Sequence, residues 1–268
     1  YGKENGFGKS ENLLLCVFPD FVFSVLPVYA WKKKIIEEGF MVKRIFLFFV
    51  LVFGVFVLAK VIKVNFENKK DNPFMSIVGY WHFDKDGENT VYAVDGRKWA
   101  RGTLSPNVAE KAKALYGERY AEFLDNVKAY KYFPLAVFKP VEDFRKGEIT
   151  VRFKTISGRI DQGAGIAFNI KKNGDYLVIR ANPLENNLVA FRLKNGRRSV
   201  VQWIRNVKTP SRKWHTLKVV IDGNKVYGYL NDKKYITLNL KAPVSGRIGL
   251  WSKADSYVFF DDFKVVFE

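Results

Sequence analysis

A chain of 268 residues with one cysteine, Cys16, and two histidines excludes a disulfide-stapled scaffold and a cysteine-rich zinc module. Its 45 Lys and Arg against 27 Asp and Glu give a net charge of +18, which on a compact stripe would point to nucleic acid. The basic residues are instead scattered over strand and turn segments, so a solvated basic surface is expected, with attraction to anionic envelope polymers or lipid headgroups as the alternative and no nucleic-acid partner.

The first informative segment in chain order is 41–59, MVKRIFLFFVLVFGVFVLA. Lys43 and Arg44 form a basic n-region, residues 45–58 an uncharged apolar h-region, and Val57-Leu58-Ala59 a small-x-small cleavage site. Such a signal belongs at a protein's start. Met41 is therefore the expected initiator, and 1–40 an upstream in-frame translation or disordered extension. Glu37-Glu38-Gly39 fits this, because its codons can hold a purine-rich ribosome-binding sequence just before Met41. The alternative is an uncleaved anchor, since an apolar run of about 18 residues is at the lower limit for a span. Residues 13–30 are also apolar, but Pro19, Asp20 and Pro27 interrupt them. The expected location is extracytoplasmic, periplasmic or secreted, in a bacterium, with membrane contact only through an uncleaved signal. Residues 1–59 carry seven basic and five acidic side chains, so the remainder keeps +16.

Residues 60–268 read as one domain of short strands. Ile149 to Phe153 and Leu217 to Val219 alternate apolar and polar, and Tyr176 to Ile179 is a continuous apolar run. Turn pairs recur between such runs at Asn173-Gly174, Asn195-Gly196, Asp222-Gly223 and Asn231-Asp232. Asx-Gly supplies the positive φ that two-residue hairpins need, so the strands are expected to pair as an antiparallel meander in a β-sandwich or barrel. One helical insertion is expected at about 105–130. Ser105 is its N-cap, Pro106 its first position, and Val108, Ala112, Leu115, Tyr116, Phe123 and Val127 its apolar face.

Residues 60–268 hold no thiol and no GxSxG, and the two histidines lie far apart. Histidine-based nucleophile chemistry is therefore not expected. His215 reads as a surface or edge residue and His82 as structural. Paired carboxylates of glycoside chemistry stay open, without a diagnostic spacing. Three polar clusters stand at strand ends: Asp161-Gln162; Arg180, Asn182, Glu185 and neighbouring Asn residues; and Trp251, Lys253 and Asp255. Planar polar groups beside an exposed Trp can hold a sugar, hydrogen-bonding its hydroxyls while the ring stacks on its apolar face. As plain turn residues they would instead bond local backbone. Asp84 to Asn89 reads as a polar turn without the spacing of a calcium loop. Asp262 in the last strand is the candidate ligand for a structural calcium, and no other cofactor is expected.

The segments FPLAVF, SGRIDQGAGIAF, YLVIRANPLENN, WHTLKV and GLWSKADSYVFFDDFKV, spread over 133–267, resemble exported bacterial concanavalin A-like (LamG-type) domains related to the 3-keto-disaccharide hydrolase family. The resemblance implies an all-β jelly-roll sandwich of two antiparallel sheets. It carries no catalytic acid, base or metal set onto this chain residue by residue. The expected function is binding of a saccharide by Asp161, Gln162, Arg180, Asn182, Glu185, Trp251, Lys253 and Asp255, without catalysis. A glycoside-type hydrolase or lyase, and an envelope structural or interaction protein, are the alternatives.

Overall fold

The computed structural model describes residues 59–99, 114 and 133–268. The export-signal pattern (except Ala59), and the expected helical insertion apart from Ala114, lie outside the described residues.

The first strands are β1 Lys60–Val64, β2 Phe74–Val78, β3 Trp81–Asp86, β4 Asn89–Asp95 and β5 Leu135–Phe138. Then come β6 Lys146–Ser157, β7 Ala164–Ile170, β8 Tyr176–Asn182, β9 Asn187–Lys194 and β10 Arg197–Arg205. The last five are β11 His215–Asp222, β12 Lys225–Leu230, β13 Lys233–Asn239, β14 Arg247–Ser252 and β15 Tyr257–Phe267. They form two antiparallel sheets. One is eight-stranded, in the order β13-β12-β11-β6-β15-β4-β3 with β1 pairing to β15; the other is seven-stranded, β10-β9-β8-β7-β14-β5-β2.

Turn chemistry sets this order locally. Asn195 and Gly196 (φ 49° and 71°) and Asn231 and Asp232 (φ 48° and 63°) each put two successive residues at positive φ, the requirement of a two-residue type I′ turn. Between β11 and β12 the central pair is Gly223-Asn224, one residue later than the sequence reading, and only Gly223 has positive φ (61°). Asn173-Gly174 belongs to a five-residue loop, 171–175, closed by Lys171 N–H donating to Asp175 C=O at 2.8 Å.

Strand periodicity then fills the space between the sheets. Ile149, Val151 and Phe153 of β6 point inward while Thr150, Arg152 and Lys154 point out. Phe260 and Phe263 of the neighbouring β15, and Ile166 and Phe168 of β7 and Ile179 of β8 across the core, are fully buried. Each such side chain contributes about 1.5–3 kcal/mol by leaving water. Aromatic contacts tighten one end, where Phe263 lies 4.9 Å from both Phe74 and Phe138.

The seven-stranded sheet is buried on its outward face as well. Val178, Val189, Phe191, Val137 and Trp251 form a second apolar cluster there, with Phe133 and Met75 packed against it. This accounts for the continuous apolar run at Tyr176 to Ile179, since a strand covered on both faces has no polar side. The same strands carry the polar clusters at their ends.

Candidate functional site

The three polar clusters meet at one end of the seven-stranded sheet, around Asp161. Its Oδ1 accepts a hydrogen bond from Asn182 Nδ2 at 2.8 Å, and its Oδ2 is ion-paired with the Lys253 ammonium. The carboxylate of Asp255 accepts the backbone N–H groups of Arg159 (2.7 Å), Ile160 (3.0 Å) and Asp161 (2.9 Å). Gly158 begins this amide-presenting turn at φ 153°. A Cβ there would lie 1.8 Å from the Asp161 carbonyl oxygen, so only glycine fits.

A second triad adjoins the first. Arg180 donates through its Nη2 to Glu185 Oε2 at 2.7 Å and through its Nη1 to Asn187 Oδ1, while Asn187 Nδ2 donates to the same Glu185 oxygen at 2.8 Å. β8 and β9 place these groups, because Asn182 pairs with Asn187 and Arg180 with Val189 across the two strands. Arg180 is fully buried, lies 5.3 Å over the Phe191 ring, and its Nε has no hydrogen-bond partner among the described residues. A buried guanidinium needs such partners to offset its lost hydration.

Burial pushes the Asp161 carboxyl above its ordinary range and outweighs the pull of Lys253. For Glu185, burial also acts upward, but the hydrogen bonds from Asn187 and Arg180 and the Arg180 charge together bring the carboxyl below its usual range. For Asp255 the three amides likewise overcome burial and hold the carboxyl low. The end of the sheet thus holds a protected central carboxylate and ionised carboxylates nearer the solvent.

Several expectations about individual residues are corrected. Trp251 is 1% exposed, not an open platform. Its ring stacks on Phe133 at 5.6 Å and its Nε1 donates to the Tyr176 hydroxyl at 2.9 Å. Asp161, Arg180 and Asn182 are buried as well, so they brace the site instead of facing a ligand directly. Gln162 turns away from the Arg180 group: its amide donates to Gly158 C=O at 3.1 Å and its carbonyl accepts from Ser211. The solvent-accessible members are Glu185, with its side chain 37% exposed, Lys253 and Asp255.

An exposed indole does stand on the same face. Strand pairing sets Trp203, Val189, Arg180, Gly165, Trp251 and Leu135 in one row across the sheet, and paired residues project to the same side. Trp203 is 45% exposed on the edge strand β10. At about 4.8 Å per strand it stands roughly 10 Å from Arg180, backbone to backbone. Gly165 keeps the row level, because a Cβ there would meet the Arg180 Cβ at 2.9 Å.

Comparison with solved structures bears on this architecture. A carbohydrate-binding module from Bacillus subtilis matches with a TM-score of 0.51 at 13% identity, over 72% of this chain and 94% of that chain. The sandwich is a concanavalin A-like jelly roll. A Bacillus subtilis protein of unknown function with a galectin-like fold matches this jelly roll at TM-score 0.48 and 12% identity, over 77% and 96% of the two chains. A Bacillus licheniformis β-glucanase matches at 0.46 and 10%, over 78% and 98%. No protein-family model matches the chain, and no curated protein matches it.

The outward face of the jelly roll's other sheet carries a polar group that sequence reasoning missed. Lys154 Nζ donates to both Asp86 oxygens (2.7 and 2.9 Å), and Trp214 Nε1 donates to Asp86 Oδ2 at 2.9 Å. Tyr257 donates to Asp84, His82 Nε2 lies 3.5 Å from Asp84, and Arg97 sits 4.0 Å over the Tyr257 ring. Partners 68 and 128 residues apart leave no local signal. His215, expected at the surface, is 7% exposed, with Nε2 3.0 Å from the Pro210 carbonyl and Nδ1 3.1 Å from Asn231. Asp262 is exposed at a bulge of β15 and ion-paired with Arg152 at 2.8 Å. Among the described residues no three acidic, histidine or cysteine side chains come together as a metal site.

Proposed function

We propose that this chain is an exported carbohydrate-binding jelly roll without catalysis of its own, taking its saccharide where the three polar clusters meet. The observation that carries the reading is their convergence on Asp161 from segments about 20 and 90 residues away in sequence: Asn182 on one oxygen, Lys253 on the other, and Asp255 holding the backbone beneath. Local turns need no such long-range bracing. In this reading Glu185 accepts sugar hydroxyls, Lys253 donates to one, and Trp203 supplies the ring for the apolar sugar face. Asp161, Arg180, Asn182, Asn187 and Asp255 hold those groups in place. Export rests on the pattern at 41–59.

One observation favours the rival reading of a glycoside or 3-keto-disaccharide hydrolase. Asp161 and Glu185 titrate in opposite directions from their ordinary ranges, as an acid and a base would. Against it, Asp161 is fully buried with both oxygens engaged, so its proton has no path to a sugar bond.

The test is a glycan-array screen of the full chain, in calcium and then in chelator, followed by titration of the best glycan. Replacing Glu185 and Lys253 together by Ala is expected to weaken binding at least tenfold, about 1.4 kcal/mol. Unchanged affinity would overturn the site. Chromatographic detection of cleaved glycan would overturn the non-catalytic reading, and absence of any binding would leave a structural or interaction protein.

A further inference from the structure

The opposite end of the seven-stranded sheet holds a cleft of about 290 Å³ that the Asp161 site does not use. It opens between the ends of the two sheets, bounded by β8 and β9 on one side and by the segment from Leu240 to Pro243 on the other. Leu177 and Leu240 give it an apolar floor. Leu177 belongs to the core between the sheets, and its β9 partner is Arg192, so Arg192 projects on that same side and reaches the mouth. Lys171, Lys194 and Lys241 complete a rim of four cations.

The charges around this cleft do not cancel. Its one acidic lining residue, Asp175, is already occupied, accepting Asn195 N–H at 2.7 Å and Asn173 Nδ2 at 3.2 Å. Lys171 donates to the Ser245 carbonyl. The exposed side chains of Arg192, Lys194 and Lys241 have no ion pair among the described residues. Cations held around a concavity with low-dielectric walls focus a positive field into it.

We propose that this cleft is a second binding site, for a short saccharide bearing carboxylates, a uronate. Arg192 offers a planar fork that matches a carboxylate bidentately, flanked by point-charge ammoniums. The Leu177 and Leu240 floor meets the C–H face of a sugar ring, and the volume suits one or two rings. A bare phosphate would satisfy the cations and leave the floor uncovered. β8 runs from one site to the other, so they stand about 20 Å apart at roughly 3.3 Å per residue. The inference therefore stands independently of the Asp161 reading.

The test is calorimetric titration of the full chain with trigalacturonate, its neutral methyl ester and inorganic phosphate. Saturable binding of trigalacturonate is expected, at least tenfold tighter than either of the others. Arg192→Glu with Lys241→Glu should reduce it at least tenfold. Lys233→Glu with Lys234→Glu makes the same change in net charge at the far end of β13 and should leave it unchanged. Circular dichroism of each variant confirms folding, and Arg192→Gln with Lys241→Gln serves if charge reversal unfolds the chain. Absence of saturable binding, equal loss in both charge-reversed pairs, or equal affinity for phosphate would each overturn the proposal.

Discussion

Asp255 and Asp161 are joined by one backbone hydrogen bond, yet their environments push their carboxyls in opposite directions. Asp255 is partly exposed and gathers three amides. Asp161 is fully buried and depends on Lys253. Removing the Asp255 carboxylate would leave three N–H groups to find water and would free the turn that presents Asp161. Hydrogen bonds to charged groups contribute about 1.5–3 kcal/mol each, less where water can substitute, so Asp255→Ala is expected to lower unfolding free energy by about 2–3 kcal/mol at neutral pH. The folded carboxyl titrates below its unfolded value, near 3.9. Its contribution is therefore full above about pH 5 and fades as pH falls through the folded value. Urea titrations of both proteins across that range check this. A gap that stays constant into acid would mean that the ionised side chain is not the cause.

At the scale of elements, what could be read from the sequence depended on how far apart the partners lie. The turns were legible because each is written in adjacent residues: Asn195-Gly196 and Asn231-Asp232 adopt the required positive φ. The grouping of Asp161 with Arg180 and Asp255 was also legible, because polar residues stood out at the ends of apolar strands. The burial of Trp251 was not. A Trp closing an apolar strand reads equally as a platform or as core, and the deciding contacts, Phe133 and Tyr176, are 118 and 75 residues away. The exposed indole was hidden for the complementary reason: Trp203 lies in an edge strand whose alternation is broken by the bulge at Val200 to Gln202. That strand carries a hazard. Val200, Val201 and Trp203 are all exposed on it, and an exposed apolar edge is a template for pairing with another chain. The bulge and the exposed Arg197, Arg198 and Arg205 are the features that oppose such pairing. Replacing Arg198 and Arg205 by Thr, a good strand former without charge, should increase concentration-dependent light scattering while leaving the monomer's circular dichroism unchanged. Unaltered scattering would assign the protection to the bulge and Arg197.

For the whole molecule, the dominant electrostatic fact is a surplus of 18 positive charges. Several of its ion pairs are exposed on at least one partner, such as Arg145–Asp143 and Arg247–Glu142. Such pairs contribute about 0–1 kcal/mol each and weaken in salt. The repulsion among the unpaired cations acts over longer distances and weakens in salt too, so the two effects oppose each other as salt is added. The surplus should win, because 45 cationic side chains outnumber 27 acidic ones and leave net repulsion after every possible pairing. Raising ionic strength from about 0.01 M to about 0.15 M shortens the screening length from roughly 30 Å to roughly 8 Å. That removes repulsion between strands and loops while screening the Lys253–Asp161 pair less, because its carboxylate is fully buried. The melting temperature is therefore expected to rise by a few degrees over this range, followed by circular dichroism at 218 nm, a band that reports sheet content. A falling melting temperature would reverse the balance and place the stability of the sandwich in its surface pairs. The basic cleft would then have to be viewed as one charged region among many and not as a local excess.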